Sequence, residues 1–382
     1  MKKFIFLTIS LLVMMQTKAQ ETPNSLGTIL PIRGLAIAAP GNEHLDLFLK
    51  FIEEDLAPAH FNLLILRVDW NYAYESHPEL RDPNPLTKTD VKKIVAVCKK
   101  NGIQIAPQVN LLGHQSWAKT TNALLREYPE FDETPHVKTE NYSGWPNPDG
   151  LYCKSYCPLH PGVHKVVFAV VDELMDAFET NTLHAGMDEV FYIGDEKCPR
   201  CGGLDKAELF AGEVTKIRNH LAHDGRRLMI WGDRLIDGKA TGIGEWEASM
   251  NNTHRAIDLI PKDVFICDWH YDRAEPTSVL FAMKGFDVAT CPWKNPGVAQ
   301  QQLADMIDWR ENSNPGFAHH FQGIIATVWS GTDNFLQSYY NPETYRQEIS
   351  EAVTIRGLMD EYKNLTTTPF EERAEATSNN PE

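Results

Sequence analysis

Residues 182–234 read TLHAGMDEVFYIGDEKCPRCGGLDKAELFAGEVTKIRNHLAHDGRRLMIWGDR. A short apolar run from Thr182 ends in Asp188 and Glu189, a helical pattern follows from Asp205 to His223, and a second apolar run opens at Arg227. Near-continuous apolar strands that alternate with helices read as a parallel sheet buried on both faces, the helix serving as the crossover. Outward from this unit the pattern repeats. IRGLAIAA from Ile32, FNLLILRVDW from Phe61 and GIQIAPQVN from Gly102 precede it, and VFICDWHYD from Val264, FDVATCPW from Phe286 and GIIATVWS from Gly323 follow. With the two runs above, that makes eight strands.

The helices carry their own period. In LTKTDVKKIVAVCKKNG, Val91, Ile94, Val95 and Cys98 fall at i, i+3, i+4 and i+7, and Gly102 supplies the stop. Similar patterns run from Gly162 to Phe178, from Asp205 to His223 and from Thr344 to about Tyr362. Eight βα units predict an α/β fold made of a single (β/α)8 TIM barrel over residues 32–363. A doubly wound open sheet is the alternative, but no strand is followed by a GxGxxG turn or a Walker loop.

The 382 residues are 42% hydrophobic and 23% charged, which are globular proportions. A net charge of -16 argues against a nucleic-acid or anionic-membrane partner and is compatible with a neutral ligand. Residues 1–19 open with Lys2 and Lys3, continue as an apolar run from Phe4 to Met15 and end at Ala19, the layout of a secretory signal peptide. That run is too short for a comfortable membrane span. The expectation is an exported protein with a leader over residues 20–31 and a polar, disordered tail over residues 364–382.

In such a barrel the C-terminal strand ends form the active face. Here they carry Arg67, Asp69 and Trp70; Asn110 and His114; His184, Asp188 and Glu189; Trp231 and Asp233; Asp268, Trp269 and Tyr271; Trp293; and Trp329 with Asp333. Carboxylates and amides bind hydroxyl groups, and indoles stack on the apolar face of a pyranose, so this composition suits a sugar. Taken singly, each Trp could equally close the barrel rim. Two adjacent carboxyls on a regular strand point to opposite sides, so Asp188 and Glu189 both reach the mouth only if the chain bends, and Gly186 permits that.

HAGMDEV resembles the HxGGDE motif of glycoside hydrolase family 20, the β-N-acetylhexosaminidases. APQVNLLGHQSW is similar to that family's third-strand segment, with Gly113 and His114 matching. The Arg33–Leu35 stretch resembles the first strand, and Asn62 with Asp69 the second. The resemblance implies a substrate-assisted retaining mechanism. Glu189 would be the general acid, Asp188 would hold the 2-acetamido group, and His114 paired with Asp69 would tune Glu189 from behind. The implied sugar-binding set is Arg67, Trp70, Asn110, His184, Trp231, Asp268, Trp269, Tyr271, Trp329 and Asp333, with no cofactor required for catalysis. An oligosaccharide or glycoconjugate is the implied substrate.

Three positions depart from the family pattern. The first strand ends in AIAAPGN without the family's Arg, which Arg67 on the next strand could replace. His270 stands where the family has a Tyr, with Tyr271 one step on. The eighth strand's Trp-x-Glu becomes Trp329-Ser330-Gly331, leaving Asp333 as the nearest carboxylate. These departures keep two further readings open: a barrel acting on a different sugar, and a non-catalytic glycan-binding protein. A metal-dependent hydrolase using His114 and His184 lacks HxH or HExxH spacing.

Of seven cysteines, Cys98, Cys267 and Cys291 lie in apolar patterns and read as buried thiols. Cys153, Cys157, Cys198 and Cys201 lie in the loops YCKSYC and KCPRCGG. Their spacing fits one tetrahedral zinc site, two disulfides, or free thiols.

Overall fold

The computed structural model describes residues 25–141, 153–343 and 350–367. Eight strands form a closed barrel: β1 Ile32–Ala38, β2 Leu63–Arg67, β3 Gln104–Leu111, β4 Thr182–Gly186, β5 Arg227–Trp231, β6 Phe265–Trp269, β7 Val288–Cys291 and β8 Phe321–Thr327. Every neighbouring pair is parallel, and β8 pairs with β1 to close the ring. The chain is therefore a TIM barrel, and all eight runs read from the sequence are its strands.

Alternation divides each strand between two cores. In β6, Phe265, Cys267 and Trp269 fill the barrel with Trp231, Met229, Ile65 and Ile325, while Ile266 joins the larger core under the helices. Helix Lys88–Lys100 starts with a capping box, in which Thr87 accepts from the Asp90 N–H and Asp90 accepts from the Thr87 N–H, and it buries Val91, Ile94, Val95 and Cys98. Asp205 caps helix Lys206–His223 through its side chain, which accepts from the Ala207 N–H. Truncating a fully buried residue such as Trp231 costs about 3–5 kcal/mol, which is the scale on which these cores hold.

The register puts Ala38, Arg67, Gln108 and His184 at one level across β1 to β4, so the side chains just beyond them share one rim. One difference from expectation concerns the C-terminal end. The last helix covers Ser350–Thr367, so Asn364 to Thr367 are helical and not part of a loose tail. Its expected start at Thr344, the signal peptide, most of the leader and residues 368–382 lie outside the described residues. No helix among the described residues is long and apolar enough to cross a membrane.

Candidate active site

Beyond β4 the chain leaves the strand through unusual backbone. Gly186, Met187 and Glu189 have φ of 69°, 71° and 48°, and across the rim Asp69, Leu112 and His114 have φ of 44°, 62° and 54°. Left-handed backbone at non-glycine residues costs energy and gathers where a site demands it. The bend brings Asp188 and Glu189 to the same mouth, as two adjacent side chains require. Two glycines allow the β3 and β4 tips to close on each other. A Cβ on Gly113 would stand 2.6 Å from the Asp188 carbonyl oxygen, and one on Gly186 would strike Asn110 Oδ1.

His114 joins the pair. Its Nε2 lies 3.0 Å from Asp188 Oδ2 and 3.2 Å from Glu189 Oε2, and its ring stacks on the exposed Trp117. Burial alone would lower the His114 pKa, but the Asp188 charge overrides it and holds the imidazole well above its usual range. Burial likewise pushes Asp188 up, and the imidazolium more than offsets it, leaving that carboxyl below its usual value. The result is a cation bridging two largely buried acids.

Asp69 does not pair with His114, contrary to expectation. Its carboxylate accepts from Asn110 N (2.8 Å) and Nδ2 (3.3 Å), so Asp69 and Asn110 brace β2 against β3. Burial raises the Asp69 pKa despite that N–H. His114 therefore acts on the acids directly.

Arg67 occupies the mouth beside them. Its Nη2 donates to Val328 O at 3.1 Å and its guanidinium lies 4.3 Å from the Trp329 ring centre, while its buried Nε has no hydrogen-bond partner. Asp69, Tyr271, Asp188 and Glu351 surround it electrostatically, opposing the lowering of its pKa by burial. Tyr271 reaches the same place: its hydroxyl accepts from Trp329 Nε1 at 2.9 Å, and its ring packs on Trp269 and Trp293. Tyr271, and not His270, thus faces the mouth. His270 is turned under the helices, bonded to Glu247 and Thr277.

Three other candidates are displaced, and two lie beneath the mouth. Asp268 points out of the barrel and accepts from Thr277 and Ser278, because it alternates with the inward-facing Cys267 and Trp269. Trp70 belongs to the outer core against Tyr74. Asp333 bonds Gly41 N and pairs with His44 at 3.2 Å. Trp231 and His184 are both 0% exposed and pack 4.4 Å apart, forming the floor beneath Trp329.

Three residues outside the implied catalytic and sugar-binding positions complete the surround. Asp233 accepts from the Glu189 N–H (2.9 Å), Trp269 Nε1 and Arg234 Nε, and burial, opposed by Arg234, sets its pKa at about 6. Glu351, from the last helix, accepts from Trp329 N (2.9 Å), Ser330 N (3.2 Å), Trp293 Nε1 and Ser330 Oγ. It, and not Asp333, is the carboxylate that holds Trp329 and Ser330. Nothing local marks Glu351 in the sequence, since it lies 22 residues past Trp329 in an ordinary helical pattern. Cys153 is the third: its thiol, pushed up to about 12 by burial, donates to Glu189 O at 3.4 Å. It therefore sits apart from Cys157, Cys198 and Cys201, and the four do not make one four-cysteine site. None of the seven cysteines is in a disulfide.

Residues 70–334 match the model of the catalytic domain of glycosyl hydrolase family 20. A beta-hexosaminidase of Akkermansia muciniphila is 30% identical over 261 residues, covering 64% of this chain and 48% of its own length. Hexosaminidase D of Bos taurus is 23% identical over 294 residues, covering 72% of this chain and 77% of its own. The chain thus spans about half of the first of these relatives. Among solved structures, a chitobiase of Flavobacterium johnsoniae superposes with a TM-score of 0.60 at 16% identity, covering 90% of this chain and 54% of that one. A beta-N-acetylhexosaminidase of Bacteroides fragilis gives 0.56 at 16% identity, covering 85% and 66%. At such identity the likeness is one of fold.

Proposed function

Because this chain belongs to glycosyl hydrolase family 20, we propose that it is a glycoside hydrolase that removes terminal β-linked N-acetylhexosamine by a substrate-assisted, retaining route. The observation that carries the reading is the pair Asp188 and Glu189 held at one mouth by His114 Nε2 at 3.0 and 3.2 Å.

In this reading Glu189 donates its proton to the glycosidic oxygen as the bond from that oxygen to the anomeric carbon breaks. The substrate's own acetamido oxygen attacks that carbon, giving an oxazolinium ion, while Asp188 accepts the acetamido N–H and balances the positive charge that develops. The ionised Glu189 then takes a proton from water, which opens the ring with net retention. In the same reading Tyr271 donates to the acetamido oxygen, and Trp329 and Trp269 pack on the sugar. Arg67, central and with an unsatisfied Nε, takes the hydroxyl-gripping role that the first strand lacks. The chain's own groups suffice for these steps. The sequence start with Lys2, Lys3 and an apolar run supports action after export.

The test is Glu189→Gln assayed by chromophore release from an aryl N-acetyl-β-glucosaminide. A loss of about 10²–10⁴-fold in kcat is expected for removal of a general acid/base. Unchanged turnover by a folded variant overturns the assignment.

A further inference from the structure

The loop after the acid pair holds a second constellation. Cys157, Cys198, Cys201 and Glu133 are all buried, and their ligand atoms lie within 4.8 Å of one another. They come from two stretches of chain: Glu133 and Cys157 from the long β3–β4 connection, Cys198 and Cys201 from the loop that follows Glu189. Cys157 Sγ stands 3.7 Å from Cys201 Sγ and 3.6 Å from Cys198 Sγ. Those separations are far beyond a disulfide bond of about 2.05 Å. They are close to the roughly 3.8 Å between two thiolates on a tetrahedral zinc with Zn–S bonds of about 2.3 Å.

Hydrogen-bond donors converge on two of the sulfurs. Backbone N–H groups of Arg200 and Cys201 point at Cys198 Sγ and that of Leu159 at Cys157 Sγ, while Arg200 Nε donates to Cys157 at 3.4 Å. N–H groups turned on sulfur from two residues further on are what a Cys-x-x-Cys knuckle offers a metal-bound thiolate. Glu133 is 0% exposed, held by Asp195 N at 2.9 Å, with both oxygens 2.8–2.9 Å from Cys201 Sγ. Burying a carboxylate against three sulfurs is costly, among the described residues no cationic side chain pairs with it, Arg200 being turned to Cys157, and a bound cation offsets that cost. Metal binding requires Glu133 to withdraw from Cys201 by only about 0.6 Å, to the roughly 3.5 Å that Zn–O and Zn–S bonds subtend.

The geometry points to a structural zinc site formed by Cys157, Cys198, Cys201 and Glu133, clamping the loop that follows Asp188 and Glu189 to the segment that precedes β4. Three thiolates and one carboxylate leave no open position for water, so the ion braces and does not catalyse. The thiol protons pass to solvent on binding.

The full chain, incubated with zinc and desalted, should carry one zinc per molecule by elemental mass spectrometry. Cobalt substitution should give the intense ligand-field bands of a tetrahedral thiolate site. Cys153→Ser should retain the metal, which separates this site from a set of all four loop cysteines, while Cys198→Ser and Glu133→Ala should bind it at least tenfold more weakly. Chelation of the wild type should lower Tm with all seven thiols still titratable. A wild-type protein that binds no stoichiometric zinc, has an octahedral cobalt spectrum, or carries a disulfide through Cys157 overturns the proposal, as does loss of the metal in Cys153→Ser.

Discussion

Replacing His114 by Phe keeps a flat ring to stack on Trp117 and removes the nitrogen that bridges Asp188 and Glu189. At 3.0 Å and an effective dielectric of about 20, an imidazolium–carboxylate attraction is about 5 kcal/mol before desolvation is subtracted. Breaking a buried pair by removing one partner costs about 3–5 kcal/mol, and proton uptake by one orphaned acid returns part of it, so a loss of about 2–4 kcal/mol is expected. The dependence on pH has a definite sign. The contribution of His114, whose folded pKa is raised, is complete below its ordinary 6.5 and fades as pH climbs through the folded value. The contribution of Asp188, whose folded pKa is lowered, is complete above its ordinary 3.8 and is lost as pH falls through the folded value. Urea unfolding of the two proteins across pH should therefore show the widest gap between pH 3.8 and 6.5 and a narrowing one above it. In the variant, burial of Asp188 is no longer opposed, so the acidic limb of kcat/KM moves to higher pH and the maximum falls by about 10²-fold through misplacement of the acids. A gap that is as large at pH 9 as at pH 5, or an acidic limb that stays in place, would refute the bridging role.

Gly113→Ala drives a Cβ against the Asp188 carbonyl oxygen at 2.6 Å, so kcat should fall by about 10²-fold while circular dichroism shows a folded barrel. Arg67→Lys loses the Val328 contact and the stack on Trp329, together about 1–3 kcal/mol, and steady-state kinetics should show KM raised tenfold or more with a smaller change in kcat. Glu351→Gln leaves an amide facing donors from Trp293, Trp329 and Ser330, at a cost of about 1–3 kcal/mol in thermal or chemical unfolding, and KM should again rise more than kcat.

The barrel is legible in the sequence because each strand is an apolar run short enough to be a strand and the intervening helices keep a 3.6 period, so periodicity alone counts eight units. The acid pair is legible because Gly186 and the end of a buried strand leave adjacent carboxyls one way to converge. Partners brought in by tertiary folding are less so. Glu351 reaches Trp329 from the last helix, and Glu133 meets Cys201 across 68 residues. The roles of Asp69 and Asp268 differ from expectation for a local reason: at a strand end, one step of register decides whether a side chain faces the mouth, a neighbouring strand or the helices. Asp268 falls on the helix side, and Tyr271, one step past the buried His270, falls on the mouth. Spacing groups Cys153 with three other cysteines, yet it bonds Glu189 O while Cys157, four residues on, turns away to Cys198 and Cys201.

In the proposed route the substrate's acetamido group is the nucleophile, with Asp188 and Glu189 serving it. Its most direct test is the rate of wild-type aryl release from paired β-glycosides that differ only at the 2-position, acetamido against hydroxyl. Turnover should be confined to the acetamido member, with Asp188→Asn and Glu189→Gln each severely slowed on it. Comparable turnover of both members by the wild-type protein would contradict the account.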